Sequence, residues 1–247
     1  MATTYAMGIG PFKPDELTCT PDGQAALFVF DRSASATTDD ATRALFAQTV
    51  ASEVTSTLDC EGDTVMGVLA HAATSGKAGS ARYEARAASE AVAGTSADQR
   101  RIQSQYQRDV DRDRSRATQT LQFAADSTVL APELKRQTDL LGVLRVVADV
   151  DGAVSRLVVL SDLHESMAGV GRRDFDRDPP SDAAEAQAWA TEDVAVVTST
   201  YGVDREVLSG VTVVPVRGSF ANAPSAVAVR TYWDALWTAF GAAEVLW

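Results

Sequence analysis

Four short apolar runs recur along the chain, and what lies between them leaves few ways to fold it. They are "AALFVF" (25–30), "TVMGVLA" (64–70), "SRLVVLS" (155–161) and "VTVVPV" (211–216). None alternates apolar with polar residues, so each reads as a strand buried on both faces, as in a parallel sheet. Helical patterns separate them. From Asp39 to Leu58, the apolar residues Ala41, Leu45, Phe46, Val50 and Val54 recur at three-to-four spacing, with Asp39 and Asp40 suited to a helix N-terminus. Thr138 is expected to open a helix through "TDLLGVLRVVADV". Another follows over 182–200, and "PSAVAVRTYWDALWTAFGAA" closes the chain with Pro224 near its first turn. "EVLW" offers a short edge strand. Strands alternating with helices imply right-handed crossovers, hence a Rossmann-like three-layer α/β/α sandwich around a mostly parallel sheet.

Residues 1–24 read as an irregular arm, broken by Pro11, Pro14, Pro21 and Gly23. Residues 25–247 form one domain, since no repeat or low-complexity linker divides them. A long helical insertion occupies about 81–135. Ser96 with Gln99 after Gly94 forms a capping box, which predicts two helices there. In the second, Ile102, Tyr106, Val110, Ala117 and Leu121 make a narrow apolar stripe, read as the packed edge of a solvated helix. Trp233, Trp237 and Phe240 are expected to be core contacts of the last helix.

Composition narrows the function. A chain of 247 residues, 45% hydrophobic, suits a single soluble domain with a sizeable core. Its 22 basic and 34 acidic residues give a net charge of -12, which argues against nucleic acid as a partner. No apolar run approaches the roughly 18 residues of a membrane helix. The start, "MATTYAMGIGPFKPDELTC", lacks the pattern of a signal peptide, so a cytoplasmic location is the default expectation. Export is expected instead if a leader has been removed or if Cys19 and Cys60 are bridged. Each cysteine precedes a predicted strand, which places both at one edge of the sheet if those strands are parallel neighbours. Two cysteines with only His71 and His164 do not make a zinc site.

The chemistry gathers where strands give out. In open α/β sheets ligands sit beyond the carboxyl ends of the strands. Asp31, Ser33 and Ser35 follow the first run, Thr138 lies at a predicted helix start, and Asp162 follows the third run. All their candidate donor atoms are oxygens, the preference of a hard cation such as Mg²⁺. The alternate spacing of Ser33 and Ser35 lets both hydroxyls face one point. Each residue alone is more simply a cap or turn residue. These ligand atoms are expected at the sheet's rim, where losing them opens no core cavity.

"FVFDRSAS", "QTDLLGVL" and "LVVLSDLHES" together resemble the metal-ion-dependent adhesion site (MIDAS) of von Willebrand factor A-type (VWA) domains, over about residues 25–245. That site is Asp-x-Ser-x-Ser, then a Thr, then an Asp, matched here by Asp31, Ser33, Ser35, Thr138 and Asp162. The resemblance implies that Ser33, Ser35 and often Thr138 ligate Mg²⁺ (or Mn²⁺ or Ca²⁺) directly, while Asp31 and Asp162 act largely through bound waters. It also implies a protein partner that supplies a carboxylate to the metal. Two departures stand out. The family commonly has Gly after the last Asp, where this chain has Leu163 and His164. The segment from 81 to 135 is longer and more helical than usual, and is expected to carry specificity.

The leading expectation is therefore a divalent-metal-dependent protein-binding module, not an enzyme. One alternative is a metal-dependent hydrolase or phosphotransferase using Asp31 as nucleophile. A haloacid-dehalogenase-like site would want a second Asp where Ser33 stands, and no Walker-type phosphate loop is present. The other alternative is a scaffold with a vestigial site. His164, beside Asp162, offers a group that would tune carboxylate binding with pH, set against the simpler reading of an exposed rim histidine.

Overall fold

The computed structural model describes residues 23–31, 33, 39–59, 62–70, 83–84, 96–126, 138–150, 154–167, 172–218 and 225–247. The chain runs β1 (Ala25–Asp31), α1 (Asp40–Thr57), β2 (Thr64–Ala70), β3 (Tyr83–Glu84), α2 (Ser96–Asp126), α3 (Val143–Asp149), β4 (Val154–Leu160), α4 (Ala183–Tyr201), β5 (Thr212–Val216), α5 (Ala226–Ala239) and β6 (Glu244–Val245). The sheet order is β3-β2-β1-β4-β5-β6, with every pair parallel except β2 and β3. The expected α/β architecture is present, and "EVLW" supplies an edge strand. Cys19, Cys60 and most of the N-terminal arm lie outside the described residues. No helix among those described is long and apolar enough to cross a membrane.

The apolar runs become strands because both faces of the sheet are covered. Leu27, Val29 and Leu157 point into a core shared with α3, α4 and α5, where Val229, Tyr232, Trp233 and Phe240 are buried. Ala26, Phe28, Phe30 and Val158 point the other way, onto Phe46, Val50 and Val54 of α1 and Ala117 and Leu121 of α2. Three layers result. Trp233, Trp237 and Phe240 are core residues, as their helical spacing predicts. Asp39 caps α1 by accepting from the Thr42 backbone N–H at 2.7 Å. Asp182 does the same for α4, accepting from Glu185 N–H at 2.9 Å.

The insertion departs from expectation at Tyr83 and Glu84, which form an antiparallel edge strand rather than helix. The expected second helix is present as Ser96–Asp126, about 46 Å long, and the rest of the expected first helix lies outside the described residues. The C-terminal part of α2 is anchored on α1 and the sheet. Ala117 and Leu121 are buried, Gln122 Nε2 donates to Ala47 O at 2.9 Å, and Arg114 Nε donates to Leu58 O at 3.1 Å. Ile102, Tyr106 and Val110, on the same stripe, are half-buried. Gly67 of β2 makes room for this docking, because a Cβ there would stand 2.8 Å from Leu121 Cδ2 and 3.1 Å from the Phe30 ring. Leu121→Ala is therefore expected to lower stability by about 2–5 kcal/mol in urea unfolding and to increase proteolysis within α2.

Candidate metal centre

Register assembles the site. Phe30 of β1 pairs with Leu160 of β4, so Asp31 and Ser161 stand abreast where the two strands end. Asp31 is the hub. Its Oδ1 accepts from the Ser33 backbone N–H at 2.8 Å and from Thr138 Oγ1 at 3.2 Å. Its Oδ2 accepts from Ser161 Oγ at 2.6 Å, and the Ser33 hydroxyl also bonds to this carboxylate. Three of the expected residues, Asp31, Ser33 and Thr138, thus meet although 107 residues separate Asp31 from Thr138. Ser35 lies outside the described residues. Asp162 follows Ser161 directly and is close enough for its charge to act on Asp31. Ser161 was not among the expected site residues; its signal is its place one residue past a strand that aligns with Asp31.

Burial corrects the expectation of a rim site. Asp31 is 2% exposed and Asp162 is fully enclosed. Desolvation, with Asp162 adding repulsion, pushes the Asp31 pKa up to about 7, against the pull of hydrogen bonds from Ser161 and Ser33. Asp162 Oδ1 accepts from the His164 backbone N–H at 2.9 Å, whereas its Oδ2 is buried with no hydrogen-bond partner among the described residues. A solvent-shielded carboxylate oxygen without a donor calls for a cation or a bound water. The donor set fits a hard cation: carboxylate and hydroxyl oxygens, with each hydroxyl that donates to Asp31 keeping lone pairs for another partner. Among the described residues no group of three or more His, Cys, Asp or Glu side chains is arranged to hold a metal, so an ion here would depend on the Ser and Thr oxygens.

Thr138 does not open a helix. Residues 138–142 form a buried loop, and α3 begins at Val143 behind Gly142. The reason lies after β4. Ser166 Oγ accepts from Thr138 N–H at 2.8 Å, and Ser166 N–H donates back to Thr138 O at 3.1 Å. Glu165 Oε2 accepts from Leu140 N–H at 2.8 Å, and Asp139 Oδ1 from Gly142 N–H at 2.8 Å. The Thr138 and Leu140 N–H groups are thus held by residues after β4 and Gly142 N–H by the local Asp139 carboxylate, and regular helix begins only at Val143. Arg172 completes the support, bonding Asp139 Oδ1 at 2.6 Å and Glu165 Oε1. Burial pushes Glu165 up to about 8, with Asp139 adding and Arg172 opposing.

Leu163 occupies the place where the expected motif has glycine, and its φ is 64°. The left-handed turn is kept without glycine because its surroundings hold it. Leu163 N–H donates to Ser161 Oγ at 2.9 Å, Trp233 Nε1 donates to Leu163 O at 2.8 Å, and the side chain is fully buried in the core. His164 is half-buried, with Nδ1 3.1 Å from Asp176 Oδ1, not the exposed rim residue expected.

No protein-family model, curated protein or solved structure matches the chain.

Two outcomes follow from this geometry. Leu163→Gly is expected to be more stable than Leu163→Ala, reversing the usual order, because both lose the packed side chain but only alanine keeps the backbone penalty of roughly 1 kcal/mol. Paired thermal melts decide it. The second outcome concerns pH. Between about pH 4 and pH 7 the folded protein holds a proton on Asp31 that the unfolded chain has released. Stability without metal should therefore fall as pH rises through this window, by up to about 1 kcal/mol per pH unit. Asp31→Asn should flatten that slope, measured as the difference between the two proteins' unfolding free energies.

Proposed function

We propose that the chain is a divalent-metal-dependent protein-binding module of the von Willebrand factor A type, its MIDAS-like centre completed by an acidic residue of a partner. The observation that carries this reading is the hydrogen-bonded convergence of Asp31, Ser33 and Thr138 beside a buried Asp162 oxygen that has no partner among the described residues. Ser33 and Thr138 would present hydroxyl oxygens to Mg²⁺, Mn²⁺ or Ca²⁺, with Ser35 the further candidate in the motif. Asp31 orients those hydroxyls by accepting their hydrogen bonds, and Asp162 offers its free oxygen, directly or through water. The bound ion supplies a Lewis-acidic point at which a partner's carboxylate docks.

The enzymatic alternative, with Asp31 as nucleophile, fits less well. Both Asp31 oxygens accept hydrogen bonds, and burial favours its protonated form. His164 is engaged with Asp176. A vestigial scaffold has no reason to keep two buried carboxylates within reach of each other, since their repulsion opposes folding.

The test is a calorimetric Mg²⁺ titration at pH 7.5, with circular dichroism to monitor folding. Wild type should bind, while Asp31→Asn and Ser33→Ala should each weaken binding at least about tenfold and keep native secondary structure. Equal Mg²⁺ affinity in all three proteins would refute the reading.

A further inference from the structure

The row at the carboxyl edge has a third member. Leu160 of β4 pairs with Val216 of β5, so Arg217 stands level with Ser161 and Asp31. Arg217 is 7% exposed, and its Nη1 donates to Ala226 O at 2.9 Å in the first turn of α5. Its Nε and Nη2 are shielded from solvent and have no hydrogen-bond partner among the described residues. These two N–H groups lie along one side of the guanidinium, at the spacing that matches both oxygens of a carboxylate. Burial lowers the Arg217 pKa, and the Asp162 charge only partly offsets this while Arg230 opposes it. Gly218 fixes the chain just beyond. With φ 57° it packs so closely on α1 that a Cβ would stand 2.4 Å from Thr42 Oγ1.

We propose that the free edge of Arg217 is a second anchor of the site, which binds the same partner carboxylate that docks at the metal. This rests on the metal-centre reading. Charge counting supports a monoanion: Asp31 and Asp162 as carboxylates balance a divalent ion, and Arg217 leaves one positive charge over. One carboxylate closes that balance, whereas a phosphate dianion overshoots it. A buried guanidinium edge with nothing on it opposes folding, so a residue kept for binding rather than stability accounts for it.

The probe is the peptide acetyl-Gly-Glu-Gly-amide, with the Gln peptide as control, added to full-length protein in saturating Mg²⁺. The Glu peptide, and not the Gln peptide, should shift the Arg217 Nε–H resonance in a ¹H–¹⁵N spectrum, and only with Mg²⁺ present. Arg217→Met should lose at least about tenfold in Glu-peptide affinity, bind Mg²⁺ more tightly because a neighbouring positive charge is gone, and melt no lower than wild type without ligand. Arg217→Lys keeps the charge but not the paired donors, and should also lose affinity; it carries the test if the Met variant does not fold. Peptide binding that needs Mg²⁺ yet is indifferent to both substitutions would overturn the second anchor and leave the metal centre standing. Failure of wild type to bind Mg²⁺ would overturn both.

Discussion

Everything at the proposed site depends on the in-register ending of three adjacent parallel strands. A parallel ladder fixes not only which strands are neighbours but which residues stand level, because its hydrogen bonds recur at each step. Once Phe30, Leu160 and Val216 are aligned, the next positions form a row without any further instruction. At that row the ladder runs out, and the chain turns away toward its next element. Side chains there are released from sheet packing and can be polar, but their burial carries a desolvation cost. Asp31, Ser161 and Arg217 are what this chain places there.

The electrostatics follow from that enclosure. In water two carboxylates and a guanidinium would each be solvated and nearly independent. Here burial raises Asp31 and lowers Arg217, and each is moved toward its neutral form. The hydroxyls of Ser161, Ser33 and Thr138 offset part of this by donating to Asp31. The loop bearing Thr138 is held from below by Glu165, Ser166 and Arg172, so the hydroxyl's position is set by a polar network rather than by helix geometry. The site is thus preorganised by its surroundings and left incomplete at Asp162 Oδ2 and at one edge of Arg217.

Much of this was legible in the residues alone. Runs buried on both faces announced four strands and hence the layered fold, and the polar residues after the first run marked the edge at which Asp31, Ser33 and Thr138 meet. What was hidden depended on distant partners. Thr138 looks like a helix cap until its hydroxyl is seen bonded to Asp31, 107 residues away. Ser161 and Arg217 look like ordinary strand-end residues until register sets them beside Asp31. Leu163 gives no hint of a left-handed backbone, because the Trp233 indole and the enclosing core, not the residue's own preference, hold it there. The start of α2 at Ser96 was legible in its capping box, but the Leu121 docking that anchors the helix from its other end was not, because a capping signal is local.

The position of β1 also shapes how the chain comes together in time. It is the first strand among the described residues, yet it lies between β2 and β4. β2 follows closely, but Ser161 lies 130 residues beyond the Asp31 it meets. At synthesis rates of about 5–20 residues per second, one edge of β1 waits several seconds between the emergence of β2 and that of β4. During that interval "ALFVF" presents an open row of backbone donors and acceptors that invites pairing with another chain. A chain of this topology is therefore most exposed to aggregation in the interval between the emergence of β2 and that of β4.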